Sequence, residues 1–91
     1  MLKIKSSKQA GKFLKKMPPK HGRQLIAKIS DLARDPLPPD AKALKGYPLP
    51  LRRATAGEYR IIYRVEGDTL FVELVGKRND DEVYRQLRRM S

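Results

Sequence analysis

Glu58-Tyr-Arg-Ile-Ile-Tyr-Arg-Val65 is the clearest structural signal in the chain, because its side chains alternate with the period of a β-strand. The four odd-numbered side chains, all aromatic or aliphatic, share one face. Arg60, Ile62 and Arg64 share the other. The pattern predicts a half-buried strand whose second face carries two arginines.

Turn-forming pairs bound this strand at Ala56-Gly57 and at Gly67-Asp68. Extended segments lie beyond them, at Leu51–Thr55 and Thr69–Lys77, and the middle strand covers Glu58–Glu66. The sequence therefore predicts three consecutive antiparallel strands.

The N-terminal third predicts a short edge strand, Met1–Lys5, followed by two helices. Ser6 or Ser7 caps the first helix, and Pro18-Pro19 ends it and opens the second. Asp35-Pro36 stops the second helix. The apolar stripe of the first helix is Ala10, Phe13, Leu14 and Met17. The side chains predicted to be buried on the second are Leu25, Ile26, Ile29, Leu32 and Ala33.

Residues 35–50 contain five of the seven prolines and predict a stiff connector within one domain. Asn79 or Asp80 then caps a closing helix, with Glu82 placed for a capping box. The stripe of that helix is Val83, Leu87 and Met90. The chain is thus predicted to be one α+β domain over residues 1–91. A helical hairpin packs on a small, mainly antiparallel sheet of about four strands, and a short C-terminal helix follows.

The composition excludes several classes of protein. The 91 residues carry a formal net charge of +11 and no cysteine, which excludes disulfide frameworks and thiolate metal sites. A single histidine and the lack of a ligand cluster predict no metal and no cofactor. No apolar run approaches the ~20 residues that cross a membrane, and Met1–Lys5 is too short for a signal peptide. We therefore expect a soluble cytoplasmic protein that binds a polyanion.

Strand register places the arginines. A two-residue turn at Ala56-Gly57 puts Arg53 directly opposite Arg60, where like charges repel unless an anion lies between them. The alternative is that both splay into water. Arg52, a further possible site residue, is predicted to point toward the helices or around the sheet edge.

The register of the second hairpin determines whether Lys77 or Arg78 lies on the same sheet face as Arg60. A two-residue Gly67-Asp68 loop pairs Ile61 with Leu74, Tyr63 with Val72 and Val65 with Leu70. A strict continuation of this register puts Lys77 on the Arg60 face. A bulge at Gly76 would instead bring Arg78 there, which is the preferred prediction, with Lys77 as the fallback.

Four motifs in order resemble the RelE-type toxins of the RelE/ParE superfamily, over nearly the whole chain. They are Leu51-Arg-Arg53, the Glu58–Val65 strand, Gly76-Lys-Arg78 and Glu82-Val-Tyr84. The resemblance implies a compact α/β domain that enters the ribosomal A site and cuts mRNA without a metal. It also implies a cognate antitoxin, expected to be acidic and partly disordered.

The resemblance also implies site residues. Arg60 matches the arginine that holds the scissile phosphate, and Arg78 a second catalytic arginine. Tyr84 matches an aromatic that orients or stacks on the substrate, and Arg53 falls where the family's archetype has a catalytic lysine. Leu51 occupies the place of another catalytic lysine, which leaves the general base unassigned.

Elementary chemistry fits these assignments, since cleavage can use the 2′-hydroxyl of the RNA as nucleophile and arginine binds phosphate oxygens bidentately. Lys77 is a possible base. Tyr84 has a competing interpretation as a core aromatic, and His21 is predicted to be a surface residue. The lysines of the first helix are interpreted either as RNA contacts or as a solvated face: Lys8, Lys12, Lys15 and Lys16.

Two other functions stay open. One is a ParE-type toxin that inhibits DNA gyrase without nuclease activity. The other is a non-catalytic RNA-binding module, although the chain lacks the aromatic-lined sheet face of single-strand binders.

Overall fold

The computed structural model describes residues 1–78, 84 and 85. Within them, five strands form one sheet in the order β1-β5-β4-β3-β2, with β1 parallel to β5 and the other neighbours antiparallel. The predicted α+β fold is confirmed, with one short strand more than expected. The elements are β1 Lys3–Ser6, α1 Lys8–Lys16, α2 Pro19–Arg34, β2 Lys42–Ala43, β3 Arg52–Ala56, β4 Tyr59–Glu66 and β5 Thr69–Lys77.

The predicted C-terminal helix falls mostly outside the described residues, together with its caps and its stripe of Val83, Leu87 and Met90. Tyr84 and Arg85 are described, and both are helical. None of the described helices is long and apolar enough to cross a membrane.

Helix α1 begins where the sequence predicted. The Ser7 hydroxyl accepts a hydrogen bond from the Ala10 amide at 3.1 Å, which satisfies one free donor of the first turn. The Gln9 side-chain amide then bonds both to the Val75 carbonyl and to the Val75 N–H, at 2.9 and 3.1 Å. Because β1 has already ended, the Gln9 side chain makes the hydrogen bonds to Val75 that a neighbouring strand would otherwise make. These bonds hold α1 against β5.

The main core lies between the two helices and the sheet, and α2 packs against β3. Tyr59 and Tyr63 are buried in it, as predicted. Burial raises the pKa of Tyr63, whose hydroxyl donates to the Pro36 carbonyl at 2.6 Å. The prediction that Ile26 is buried is wrong, because this side chain is 56% exposed and α2 buries a narrower stripe.

The Pro-rich connector is held to α2 by an ion pair. Lys28 Nζ lies 3.0 Å from an Asp40 carboxylate oxygen, and this hydrogen bond lowers the pKa of Asp40. The connector then adds the unpredicted strand β2, whose Lys42 pairs with Arg53 at the edge of the sheet.

The sheet face turned away from α1 and α2 is called the open face here. It carries a second, smaller apolar cluster of Leu51, Ile62 and Leu74, against which Tyr84 packs. Leu44 and Tyr47 are the other partly buried members of this cluster.

The register of the first hairpin differs from the prediction by two residues. The turn is Gly57-Glu58 rather than Ala56-Gly57, so Arg53 lies opposite Ile62 and Arg60 lies opposite Thr55. The physical reason is that Gly57 supplies a positive φ of 60° at the turn, while Ala56 remains buried in β3.

The second hairpin turns at Gly67-Asp68 as predicted, and Tyr63 pairs with Val72. The bulge, however, follows Val72 rather than lying at Gly76, so Ile61 pairs with Val75 instead of Leu74. The extra residue is Glu73. Its carboxylate bonds to Arg64 and Leu74 packs with Ile62, so two consecutive side chains serve the open face.

Candidate functional site

Three of the predicted site residues meet on the open face. The Tyr84 hydroxyl accepts a hydrogen bond from Arg60 Nη1 at 2.6 Å and another from Arg53 Nη1 at 3.1 Å. Two adjacent strands and the segment after β5 therefore contribute to one cluster, which we call the Arg53–Arg60–Tyr84 cluster. All three side chains are partly accessible.

The two arginines lie diagonally across β3 and β4, since Arg53 faces Ile62 and Arg60 faces Thr55. Diagonal neighbours on one sheet face are still within reach of long side chains. The like charges are thus not directly opposed, and the oxygen of Tyr84 lies between them.

Arg60 has an unsatisfied donor. Its Nε is buried and has no hydrogen-bond partner within the described part of the chain. A buried donor left unpaired costs about 1–3 kcal/mol, so natural proteins keep such groups rarely and mostly where they serve a function. An anion beside this guanidinium would satisfy the group.

Tyr84 has two roles in the structure. Its ring packs on the Leu51, Ile62 and Leu74 cluster, and the Arg60 guanidinium carbon lies 5.4 Å from the ring centroid. Its hydroxyl accepts both arginine bonds, which leaves the phenolic proton to be donated elsewhere. The ring therefore belongs to the smaller apolar cluster, while the hydroxyl meets both arginines, and the role of Tyr84 as a site residue stays a prediction.

The other candidate cations are not joined to this cluster by any contact among the described residues. The register pairs Lys77 with Tyr59, on the helix-facing side. Arg78 is exposed, and its backbone N–H donates to the Glu58 carbonyl at 2.7 Å. Arg52 pairs with Tyr63 and lines a cavity with Pro36, so it points to the helix side.

The four lysines predicted to bind RNA are all exposed on α1, in the layer behind the sheet. They are Lys8, Lys12, Lys15 and Lys16. Any role in binding RNA would thus be exercised from a surface distinct from the Arg53–Arg60–Tyr84 cluster. Within the described ranges, no group of three or more His, Cys, Asp or Glu side chains is placed to hold a metal ion.

Comparison with protein families identifies the group. The profile of the ParE toxin of type II toxin–antitoxin systems, parDE, matches residues 4–82. The chain belongs to this toxin family. No match to it was found among curated protein sequences.

The toxin is also similar to solved structures of RelE proteins. A chain of the archaeal RelE–RelB complex from Pyrococcus horikoshii OT3 is 28% identical, with a TM-score of 0.74 over 86% of this chain and 96% of that one. The isolated E. coli RelE toxin is 25% identical, with a TM-score of 0.73 over the full length of both chains. A chain of the toxin–antitoxin complex RelBE2 from Mycobacterium tuberculosis is 26% identical, with a TM-score of 0.73 over 85% and 98%. The suspected RelE-type toxin of the RelE/ParE superfamily is therefore confirmed.

The toxin holds a second charged group on the open face that the sequence analysis missed. Arg64 Nε donates to the buried Glu73 carboxylate at 2.8 Å, and Arg64 Nη1 also bonds to Glu66. The Glu66 and Glu73 carboxylates raise the pKa of Arg64. A glutamate between Val72 and Leu74 in a strand was the available indication of a bulge, because an acid is rarely buried without a partner.

His21 was also misjudged. It is half-buried, its Nδ1 lies 2.8 Å from the Tyr59 hydroxyl oxygen, and the two rings meet edge to face at 5.4 Å. Because Tyr59 packs the helix side of β4, His21 fixes the start of α2 on the sheet. His21 therefore lies on the helix side of the sheet, away from the Arg53–Arg60–Tyr84 cluster.

Proposed function

We propose that this toxin is a ribosome-dependent endoribonuclease that cuts mRNA and thereby inhibits translation. The observation that carries the proposal is the convergence of Arg53 and Arg60 on one tyrosine hydroxyl, beside a buried guanidinium N–H that has no partner in the part of the chain that the structure describes. Two fixed cations and a free phenolic proton suit a phosphodiester, which carries negative charge on its non-bridging oxygens.

The proposed reaction uses the 2′-hydroxyl of the RNA as nucleophile. Its oxygen attacks the adjacent phosphorus, the bond from phosphorus to the 5′-oxygen breaks, and a 2′,3′-cyclic phosphate forms. The 2′-hydroxyl loses a proton and the leaving 5′-oxygen gains one, so no metal or cofactor is required for balance. The protein then has to orient the backbone and stabilise charge on the pentavalent transition state.

Arg60 is assigned the main electrostatic role, because Nη1 holds Tyr84 while other N–H groups in the guanidinium plane, including the Nε–H without a partner among the described residues, are left to bind a non-bridging oxygen. Arg53 adds a second cation from β3. Tyr84 donates its phenolic proton to the phosphate or to the ribose. Losing one of the arginine interactions costs on the order of 3 kcal/mol of transition-state stabilisation.

Arg78 remains a proposed contributor. Strand alternation after Lys77 favours the Arg60 side, since Gly76 pairs with Arg60 and Lys77 with Tyr59. Leu51 packs in the cluster under Tyr84 and is 3% exposed. Proton transfer therefore does not use the Leu51 position, where the family archetype has a lysine.

The proposed partners follow from charge and from the relatives. The structures from P. horikoshii and M. tuberculosis are complexes of toxin with antitoxin. A chain of net charge +11 suits an acidic antitoxin, which would silence the toxin by covering the arginines or by displacing the segment around Tyr84. The exposed lysines of α1 would contact ribosomal RNA, and the proposed site of action is the A site of cytoplasmic ribosomes.

Induction in cells tests this proposal. Wild-type toxin should produce transcript cuts within codons, whereas Arg60→Ala should not. Arg52→Ala is the matched control, because it removes an arginine of β3 from the opposite face and should keep the cuts. Intact messages together with double-strand breaks in DNA would instead indicate the ParE-type alternative.

A further inference from the structure

A cavity of about 340 Å³ lies at the other end of the open face. The register places its members together, because Phe71 lies opposite both Arg64 on β4 and Lys5 on β1. Arg64 is also four residues from Arg60 on the same strand face, a separation of about 13 Å. The lining residues are Lys5, Arg64, Glu66, Thr69 and Phe71.

The guanidinium group in this cavity is fixed and neutralised. Arg64 bonds to both Glu73 and Glu66, and its guanidinium carbon lies 4.8 Å from the Phe71 ring centroid. The side chain of Arg64 keeps 17% of its surface accessible, whereas that of Glu73 keeps 7%. Arg64 is thus unlike Arg60: two carboxylates already balance its charge, and its plane is held at an aromatic ring.

Such a group suits a planar ligand better than an anion. Single-stranded RNA is recognised by stacking bases on aromatic rings and on arginine planes, and by hydrogen bonds to base edges. Glu66 is exposed at 73% of its side chain, and its carboxylate accepts hydrogen bonds but donates none. It can therefore bind an exocyclic amino group, which cytosine, adenine and guanine carry and uracil lacks.

We infer that this cavity binds one base of the RNA strand whose backbone lies at Arg60, and that it favours a base with an exocyclic amino group. The inference rests on the proposed function for the identity of the strand. The base stacks at the Arg64–Phe71 pair, the Glu66 carboxylate accepts from its amino group, and Lys5 contacts the adjoining phosphate. A specificity subsite then lies beside the cleavage site on one continuous face.

Binding of short RNA to the purified toxin tests the subsite directly. The probes are fluorescein-labelled 2′-O-methyl hexamers of cytidine and of uridine, which cannot be cut through a 2′-hydroxyl, and anisotropy gives the Kd. Wild type should bind the cytidine hexamer about tenfold more tightly. Glu66→Gln should remove the preference, because an amide also donates to the carbonyls of uracil.

Two further variants distinguish the contribution of base stacking on Phe71 from that of the positive charge of Lys5. Phe71→Leu should weaken binding of both hexamers about tenfold, since the aromatic support is lost while the volume stays apolar. Lys5→Ala should weaken both equally. Lys3→Ala is the control: it removes the same charge two residues away, outside the cavity and from a lysine that pairs with Asp68. It should have the smaller effect.

Thermal unfolding of each variant checks that it is folded. Equal affinity of wild type for both hexamers, or unchanged binding by folded Phe71→Leu, would overturn the inference. Unchanged RNA binding by Phe71→Leu together with weakened binding of the antitoxin would assign the cavity to a protein partner, which also overturns it.

Cleavage on ribosomes separates this inference from the proposed function. The cut sites of Glu66→Gln should become enriched in uridine near the break, whereas Lys3→Ala, outside the cavity, should leave the distribution of cuts unchanged. An unchanged distribution of cuts would contradict the subsite and leave the nuclease intact. Preference for cytidine without any cleavage by wild type would contradict the nuclease alone.

Discussion

Arg60 and Arg64 occupy the same face of the same strand, yet their surroundings differ in kind. Arg60 bonds to a neutral phenol and keeps a buried N–H without a partner among the described residues. Arg64 bonds to two carboxylates and lies against Phe71. Two carboxylates balance the charge of Arg64, whereas among the described residues none is bonded to Arg60, so the same residue type on one strand face carries a different net charge in its surroundings.

The largest expected difference between the two ends of β4 is in activity. Arg60→Met should lower the rate of mRNA cleavage on ribosomes by roughly a hundredfold, because about 3 kcal/mol of transition-state stabilisation is lost. Arg64→Met should change the rate by less than about tenfold. Single-turnover cleavage measures both. Equal losses would show that the two arginines have the same role.

Stability should show the opposite order. Arg64→Met leaves the buried Glu73 carboxylate without its cation, and should lower the free energy of unfolding by about 2 kcal/mol. Arg60→Met removes a buried donor that has no partner among the described residues, together with one hydrogen bond to Tyr84, and should change the free energy of unfolding by less than about 1 kcal/mol. Urea unfolding measures both differences.

The stability deficit of Arg64→Met should also depend on pH. At low pH the ion pair between Arg64 and Glu73 no longer has a charged acid for the guanidinium to balance, so removing Arg64 costs less and the deficit shrinks. Urea midpoints at about pH 8 and about pH 4 would show this, and the exposed Glu66→Gln, expected to change stability by less than about 1 kcal/mol, is the control. A deficit independent of pH would contradict an ionic role for Glu73.

The Tyr84→Phe variant tests the role of the Tyr84 hydroxyl, which accepts hydrogen bonds from Arg53 and Arg60. The ring can still pack on Leu51, Ile62 and Leu74, but the shared acceptor of Arg53 and Arg60 is lost. Cleavage should fall about tenfold, equivalent to about 1.4 kcal/mol. Tyr47→Phe changes the other tyrosine of this cluster and should leave the rate unchanged. If both variants lose activity equally, the loss reflects packing rather than the hydroxyl.

The smallest difference is expected in the stability of variants at the two turns that flank β4. Gly57 and Gly67 have nearly equal φ angles of 60° and 59°, so alanine should cost about 1 kcal/mol at either position. A Cβ at Gly57 would also lie 2.6 Å from the Gln24 side chain, whereas nothing lies within 4 Å at Gly67. The Gly57→Ala variant should therefore be less stable than Gly67→Ala by a few tenths of a kcal/mol, because the flexible Gln24 side chain has to move. Thermal unfolding compares them, and a reversed order would show that Gln24 moves without cost.

Sequence patterns predicted most of the fold because they depend on local chemistry. Ser7 and the Pro18-Pro19 pair set the bounds of α1, and period-two alternation identified the three long strands. Strand β2 was missed, since Lys42–Ala43 is two residues long and pairs only because the connector is held beside β3. Ile26 was misplaced because periodicity does not give the width of the stripe that the sheet covers.

Three properties follow from the order of amino acids alone: the net charge, the alternation that puts Arg53, Arg60 and Arg64 on one face, and the family motifs. Contacts between distant parts of the chain determine which of these arginines bond to Tyr84 and which bonds to Glu73. Both outcomes depend on where a turn and a bulge shift the register, and those shifts are set by long-range burial of Ala56 and Glu73. The two-residue shift in the first hairpin changes every cross-strand neighbour and leaves each side chain on its face, whereas the one-residue bulge after Val72 moves Lys77 to the helix-facing side.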